Sequence, residues 1–316
     1  MEFLLVASSL LWIALLLVPW RPWSTRERLE PEDEGTERNL SNITVLVPAR
    51  NEASVIERTL SALANQGPGL QVILVDDQST DETASLALSE LVTGLKVIKG
   101  KPLPSGWTGK LWALEQGWRN TNTELVLLLD ADIELEPRMI GTLKQKMIDE
   151  QLDLVSIMAH LRMETFWEKL LAPAFVYFFK LIYPFSIGNS PNSNLGVAAG
   201  GCILVRSDAL RRTGAFRSIR NAIIDDCSLA GSIKKSGGRT WTGLLSSSLT
   251  GRGLAVVGVF AMLISYLPTL RYYRRSILWA PMLPFIGGLY LLMTWSSAVR
   301  YWRGQRSEWK GRVYAR

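Results

Sequence analysis

Three short apolar runs, each ending in a polar cluster, constrain this chain more than any other feature. Ile43-Thr44-Val45-Leu46-Val47 leads into Pro48-Ala49-Arg50-Asn51-Glu52, and Gln71-Val72-Ile73-Leu74-Val75 into Asp76-Asp77-Gln78-Ser79-Thr80-Asp81. Leu125-Val126-Leu127-Leu128-Leu129 leads into Asp130-Ala131-Asp132. Runs of this kind read as buried strands. Helix-compatible sequence separates them, from about Ala53 to Ala64 and again from near Glu82, where Ser79, Thr80 or Asp81 could cap the start. Strand alternating with helix is the βαβαβ pattern of a parallel sheet, which makes the fold class α/β. Ordinary turn chemistry would account for each polar cluster singly. Three on one sheet edge, where open α/β sheets bind ligands, point to a site.

Alternation places Asp130 and Asp132 on the same side of an extended chain. Two convergent carboxylates repel each other unless a cation or a donor sits between them. Oxygen-only ligands suit Mg²⁺ or Mn²⁺ shared with phosphate oxygens. The pair therefore reads as a divalent-metal and nucleotide-diphosphate site, set against the plainer reading of a solvated acidic turn. His160 is the only histidine. One histidine gives little support to a His-based metal site or a Ser-His-Asp hydrolase. The chain contains no GxxxxGKS or GxGxxG loop, which disfavours kinase, ATPase and dehydrogenase readings.

The ends of the chain differ from its middle. Residues 1–20 hold the uncharged run Phe3 to Trp20, near the minimum length for a membrane span. No basic segment precedes it and no small-x-small site ends it, so it reads as an anchor rather than a cleaved signal peptide. Residues 21–42 are polar, rich in Glu and Arg, and read as a linker. Residues 43–250 hold the strand-rich domain. Residues 251–299 contain two further apolar runs, Gly253 to Leu270 and Ser276 to Val299, read as two membrane segments. Residues 300–316 form a basic tail with Arg300, Arg303, Arg306, Lys310, Arg312 and Arg316. The formal net charge of +6 is modest, and a basic tail directly after an apolar span fits anionic lipid better than nucleic acid. Arg21, Arg26 and Arg28 place the domain on the cytoplasmic side of the cell (inner or plasma) membrane, in a multi-pass arrangement. The short loop Arg271-Tyr272-Tyr273-Arg274-Arg275 then falls outside, against the positive-inside rule, unless one late segment is re-entrant. Between these parts, Phe166 to Ile187 is dense in aromatics and reads equally as a core helix or as a helix lying in the membrane interface. Cys202 and Cys227 are too few and wrongly spaced for a metal site or a disulfide framework.

The middle of the chain resembles the family 2 glycosyltransferases of the GT-A type. Val47-Pro48-Ala49-Arg50-Asn51-Glu52 is similar to their first-strand signature, and Val75-Asp76-Asp77-Gln78-Ser79-Thr80-Asp81 to their V-D-D-x-S-x-D loop. Gly109-Lys110-Leu111-Trp112-Ala113-Leu114 is similar to the G-K-x-x-A-L segment, and Asp130-Ala131-Asp132 matches the D-x-D. Ala199-Gly200-Gly201-Cys202 through Gly214-Ala215-Phe216 resembles the acceptor-side stretch, and Asp225-Asp226 stands where the family has Glu-Asp. The Gly-Trp-Thr-Gly-Lys run, Asp-Asp-Cys and Trp309-Lys310-Gly311-Arg312 look most like hopene-associated members. The resemblance implies a GT-A nucleotide-diphospho-sugar transferase fold and a nucleotide-sugar donor. It implies Asp132 as the chief metal ligand and Asp130 on metal or ribose. It implies Asp76 or Asp77 on the base or ribose edge, with Pro48, Arg50 and Glu52 lining the same pocket. Lys110 then lies close to the base or the phosphates, although a surface lysine at a helix start is the plain alternative. Asp226 is implied as the general base of an inverting reaction, with Asp225 beside it to raise a neighbour's pKa.

The chain departs from that pattern in one place. The Gln-x-x-Arg-Trp motif that many relatives carry after the Glu-Asp pair is absent, and Trp241 follows Arg239-Thr240 instead. Two expectations follow. One is a membrane-anchored transferase acting on a lipid acceptor, with a hopanoid-related lipid as the narrowest form. The other is a donor-binding membrane scaffold with impaired transfer. The donor site is complete in both.

Overall fold

The computed structural model describes residues 15–31, 39–90, 92–159, 165–245 and 259–283, with 285–287, 289, 290, 293, 296, 308, 309, 312 and 313. His160 lies outside the described residues, as does most of the first apolar run. The chain divides into two compact units. One holds Leu29–Ala159 and Pro191–Gly243 with Ser307–Arg316; the other holds Met1–Arg28, His160–Ser190 and Leu244–Arg306.

The first unit is the expected α/β domain. Its strands are β1 (Ile43–Ala49), β2 (Gln71–Asp76), β3 (Leu95–Lys99), β4 (Leu125–Leu129), β5 (Leu154–Met158), β6 (Cys202–Arg206) and β7 (Thr240–Leu245). They run side by side in the order β7-β5-β6-β4-β1-β2-β3. β1 pairs parallel with β2 and β4, and β2 parallel with β3. β6 is antiparallel to both β4 and β5. The sheet is therefore mostly parallel with one reversed strand inside it. β1, β4 and β5 are buried along their whole length, because helices cover both faces and leave no polar side to alternate with. Helices α1 (Ile56–Ala64), α2 (Thr83–Ser89), α3 (Gly109–Trp118) and α4 (Met139–Asp149) follow their strands as the sequence pattern predicts. Leu46, Val75, Val126, Ile203, Leu111, Leu114, Phe216 and Leu229 form one continuous core between sheet and helices.

Topology places the chemistry. β1, β2 and β4 run the same way, so the clusters at 50–52, 76–81 and 130–132 emerge on one edge. Because β6 is reversed, it starts at that edge, with Cys202 opposite Leu129. The Gly200-Gly201 segment is thus delivered to the same place as the D-x-D. The helix bearing Asp225 and Asp226 spans Asp225–Lys235 and packs backbone to backbone on the 190s segment. A Cβ on Gly196 would lie 2.2 Å from the Gly231 nitrogen and 2.5 Å from the Cys227 carbonyl oxygen. No other residue fits there.

The second unit gathers α5 (Phe166–Ile182), a later helix Val259–Tyr272 and the 3₁₀ turn Ile277–Met282. Leu170, Ala174, Tyr177, Tyr266, Leu270 and Leu283 form its core, and the Tyr177 hydroxyl is 2.6 Å from that of Ser265. Helix α5 begins at a capping box between Thr165 and Glu168. Lys180, a charged residue inside this apolar stretch, is buried. Its ammonium donates to the Ser24 carbonyl and lies 3.5 Å from the Glu27 carboxylate and 4.8 Å from the Phe185 ring. Burial pulls its pKa down to about 8 against the upward effect of Glu27. No described helix is long and apolar enough to cross a membrane. The described part of the run Gly253 to Leu270 is helical, within Val259–Tyr272, and contains Pro268.

The Gly196 contact predicts a specific sensitivity. Gly196→Ala should force the Asp225–Lys235 helix off its seat and lower stability by about 1–3 kcal/mol, the range for overpacking. Chemical denaturation checks this. An unchanged midpoint would mean the helix yields without cost.

Candidate active site

The loops after β1 and β2 are laced to each other. The Asn51 amide donates to Ser79 Oγ at 3.0 Å, and the Thr80 amide to Asn51 Oδ1 at 2.8 Å. The Glu52 amide donates to Thr83 Oγ1 at 2.8 Å and the Ala53 amide to Asp81 Oδ2 at 3.1 Å. Asp81 Oδ1 takes the Thr83 amide at 3.1 Å, but the N-cap position itself falls to Glu82, one residue beyond the cap expected at 79–81. Burial would raise the Asp81 pKa, but these hydrogen bonds outweigh it and hold the pKa below the usual value. Asn51 and Gln78 both take a left-handed backbone, at φ 53° and 59°. Asn accepts that conformation more readily than most residues. Arg50 Nη1 donates to the Asp77 carbonyl at 2.5 Å and the Gln78 carbonyl at 3.3 Å. Asp76 is buried, and its Oδ1 accepts from the Ser79 amide at 3.3 Å. Asp77 is also buried, and its amide donates to the Ala49 carbonyl at 2.8 Å.

Beside these loops lies a cleft lined by Pro48, Lys110, Asp130, Gly200, Asp225 and Asp226 over a floor that includes Leu129 and Phe216. Lys110, in the first turn of α3, sits 2.6 Å from Asp130 Oδ1. Burial alone would lower the lysine's pKa. The charges of Asp130, Asp225 and Asp226 more than offset this and leave it raised. Burial raises the Asp130 pKa as well, with Asp132 and Asp225 adding to it against Lys110. The proton stays on the lysine, which is the far stronger base. Asp226 Oδ1 accepts from the Cys227 amide at 2.7 Å. Its pKa is raised first by burial and then by Asp225, with the Cys227 amide, Lys110 and the Gly200 amide opposing. A Cβ on Gly200 would come within 3.2 Å of Asp226 Oδ2, so the glycine lets the carboxylate approach the backbone. Asp132 is exposed, just beyond Asp130.

The structure thus brings together Pro48, Lys110, Asp130, Asp225 and Asp226, with Asp132 coupled to them electrostatically. Arg50, Glu52, Asp76 and Asp77 stand on the same sheet edge but do not line this cleft. Among the described residues no group of three or more His, Cys, Asp or Glu is placed to hold a metal. Asp130 and Asp132 nonetheless fit a hard divalent cation that draws its remaining oxygens from phosphate and water, as Mg²⁺ commonly does.

Four sets of supporting contacts are invisible to motif reading. The Thr59 hydroxyl, buried on α1, donates to the Ala131 carbonyl at 2.7 Å and so orients the middle of the D-x-D. Ser156 on β5 bonds both the amide and the carbonyl of Ala199, at 2.8 and 3.1 Å. Glu115 is buried on α3, and its Oε1 pairs with Arg217 Nε at 3.0 Å and Arg119 Nη2 at 2.9 Å. The Thr108 amide donates to the Arg220 carbonyl at 2.9 Å. Both ends of α3 therefore hold the loop that runs into Asp225. The one sequence signal was an acidic residue, Glu115, among the apolar residues Leu111, Trp112, Ala113 and Leu114. Thr59→Val keeps the side-chain shape but leaves the buried Ala131 carbonyl without this donor. It should cost about 1–3 kcal/mol of stability, the penalty for a buried group left unsatisfied, as measured by urea denaturation.

Comparison with known proteins agrees with this geometry. Residues 44–214 match the profile of Glycosyl transferase family 2. Probable glycosyltransferase YdaM of Bacillus subtilis (strain 168) is 33% identical over 138 residues, covering 40% of this chain and 33% of that protein. The 4,4'-diaponeurosporenoate glycosyltransferase of Staphylococcus haemolyticus is 34% identical over 96 residues, covering 30% of this chain and 25% of that protein. The matched stretches thus span about a third and a quarter of these curated relatives. The mannosyltransferase PcManGT from Pyrobaculum calidifontis, solved in complex with GDP-Man and Mn²⁺, superposes with a TM-score of 0.54 at 19% identity, covering 95% of this chain and 92% of that one. That likeness shows a shared fold. With more than half of its residues inside the family profile, the chain belongs to glycosyl transferase family 2.

Proposed function

We propose that the chain transfers a glycosyl group from a nucleotide-diphospho sugar to a hydroxyl of a lipid acceptor, with inversion, from the cytoplasmic face of a membrane. The observation that carries this reading is the convergence of Lys110, Asp130, Asp225 and Asp226 in one cleft at the carboxyl ends of the parallel strands. The Asp226 carboxylate takes the proton of the acceptor hydroxyl. The freed oxygen attacks the anomeric carbon, the bond from that carbon to the diphosphate breaks, and the nucleoside diphosphate leaves with its electron pair. Lys110 supplies positive charge beside the departing diphosphate, and its pairing with Asp130 holds it ready. A divalent ion, held by Asp132 and Asp130, would neutralise charge on the same leaving group as a Lewis acid. Asp76 and Asp77 face the donor's base or ribose, with Arg50 and Glu52 setting the loop that carries them.

The acceptor class rests on the apolar runs near both ends and on the aromatic stretch from Phe166 to Ile187. A relative named for 4,4'-diaponeurosporenoate agrees with it. The hopanoid-related acceptor is its narrowest form and rests on the Gly106–Lys110, Asp225–Cys227 and Trp309–Arg312 motifs. The missing Gln-x-x-Arg-Trp motif favours the scaffold reading in one respect. Membranes containing the chain, given labelled nucleotide sugars and a lipid extract, decide between them: labelled lipid supports transfer, and donor binding with no product supports the scaffold.

Three variants test the residue roles. Asp226→Asn keeps shape and the contact to Cys227 but removes the base, so turnover should fall about 10²-fold or more with donor binding nearly unchanged. Asp225→Asn removes a like charge that raises the Asp226 pKa. The acid limb of the rate profile should therefore move to lower pH, and a limb that stays in place would exclude Asp226 as the titrating base. Asp132→Ala should abolish the metal dependence of donor binding. Equal donor affinity with and without EDTA in the unaltered chain would remove the metal from the reading.

A further inference from the structure

We infer that the second unit presents a surface built to rest on an anionic bilayer, and that the start of α5 and the turn Ile277–Met282 form it together. Phe166 packs against Trp167 at 5.3 Å and against Trp279 at 5.5 Å between ring centroids. The cluster is open to solvent, with Phe166 and Trp167 each 59% exposed. Ile277 and Leu278, next to Trp279 in the chain, are 58% and 81% exposed. These are large side chains, brought together from two segments more than a hundred positions apart, and exposed patches of this kind mark binding surfaces. Trp279 is half-buried against the core of Leu170, Tyr177, Leu270 and Leu283, whereas Phe166, Trp167, Ile277 and Leu278 lie outside that core.

Charge names the occupant. Arg271 and Arg274 are exposed immediately before the apolar turn. The acidic residue of the cluster, Glu168, is engaged in the helix cap, where it accepts from the Thr165 amide at 2.8 Å. The exposed rings and aliphatic side chains of the turn are thus preceded in the chain by two exposed arginines. Tryptophan at the headgroup level, with arginine paired to lipid phosphate, is the composition that favours a membrane interface. The inference deepens the lipid-acceptor reading and rests on it only for its purpose, since a lipid headgroup must be met at the interface.

The test reads depth rather than flotation, because the apolar runs near the chain's ends would carry it to vesicles on their own. Leu278→Cys in the full chain is labelled with an environment-sensitive fluorophore, Cys202 and Cys227 being buried. The labelled protein is added to phosphatidylcholine vesicles with or without phosphatidylglycerol. The expected result is a blue-shifted emission, quenched by lipids brominated near the headgroup, with stronger quenching when phosphatidylglycerol is present. Arg271→Gln combined with Arg274→Gln should remove the preference for phosphatidylglycerol while leaving the fold intact by circular dichroism. Vesicle-bound protein whose label stays in water overturns the proposal. A blue shift that depends on protein concentration without lipid also overturns it and assigns the patch to a second copy of the chain. Quenching without transfer to any lipid keeps the surface and sinks the acceptor class, so the two readings fail separately.

Discussion

One ammonium holds the candidate site together. Lys110 stands among Asp130, Asp225 and Asp226, with Asp132 close behind, and the carboxylates come from two different parts of the sheet edge. Like charges in a half-buried cleft repel strongly because the surroundings screen them less than water does. Without the lysine, the D-x-D and the Asp225 helix would be driven apart or would take up protons. With it, the raised pKa of Asp226 and the closeness of Asp130 can coexist. The same charge is what a diphosphate would seek, so one side chain serves the resting site and the leaving group.

The sheet provides the frame for that balance. Parallel strands send their loops to one edge, and the reversed β6 returns the chain to the same edge from the opposite direction. Gly200, Gly201 and the Asp225 helix thereby meet the D-x-D without any long excursion. The loops after β1 and β2 are held by side chains that bond backbone across the gap between them, and this permits the left-handed residues Asn51 and Gln78. The strain sits where a donor would bind, a common place for it.

Much of this was legible before the structure. Strand positions, the shared edge and the carboxylate pairs depend on local patterns, and local patterns survive in sequence. The pairs Thr59 with Ala131 and Glu115 with Arg217 lie 72 and 102 positions apart, and no periodicity points from one member to the other. Gly196 reads as a loop glycine until the helix on top of it is seen. Segment 166–187 was undecidable because it is apolar nearly all round, which hides the face that packs. In the structure Leu170, Ala174 and Tyr177 face the second core while Phe166, Trp167 and Phe175 stay exposed, so the packed face answers the core-helix reading. The burial of Lys180 could not be read from the sequence, because its partners at Ser24 and Glu27 are remote in it.

The bond from the Asp130 amide to the Gly201 carbonyl, at 3.0 Å, has a thermodynamic meaning. It ties the first carboxylate of the donor side to the segment against which Asp226 rests. A ligand that favours one placement of Asp130 also selects a placement of Gly200 and of the base beside it. On the proposed reading, donor and acceptor would be linked ligands, and the factor by which one alters the affinity of the other must be the same in both directions. Order of addition would be a property of this rung of the sheet, set by how far the two sides can shift independently.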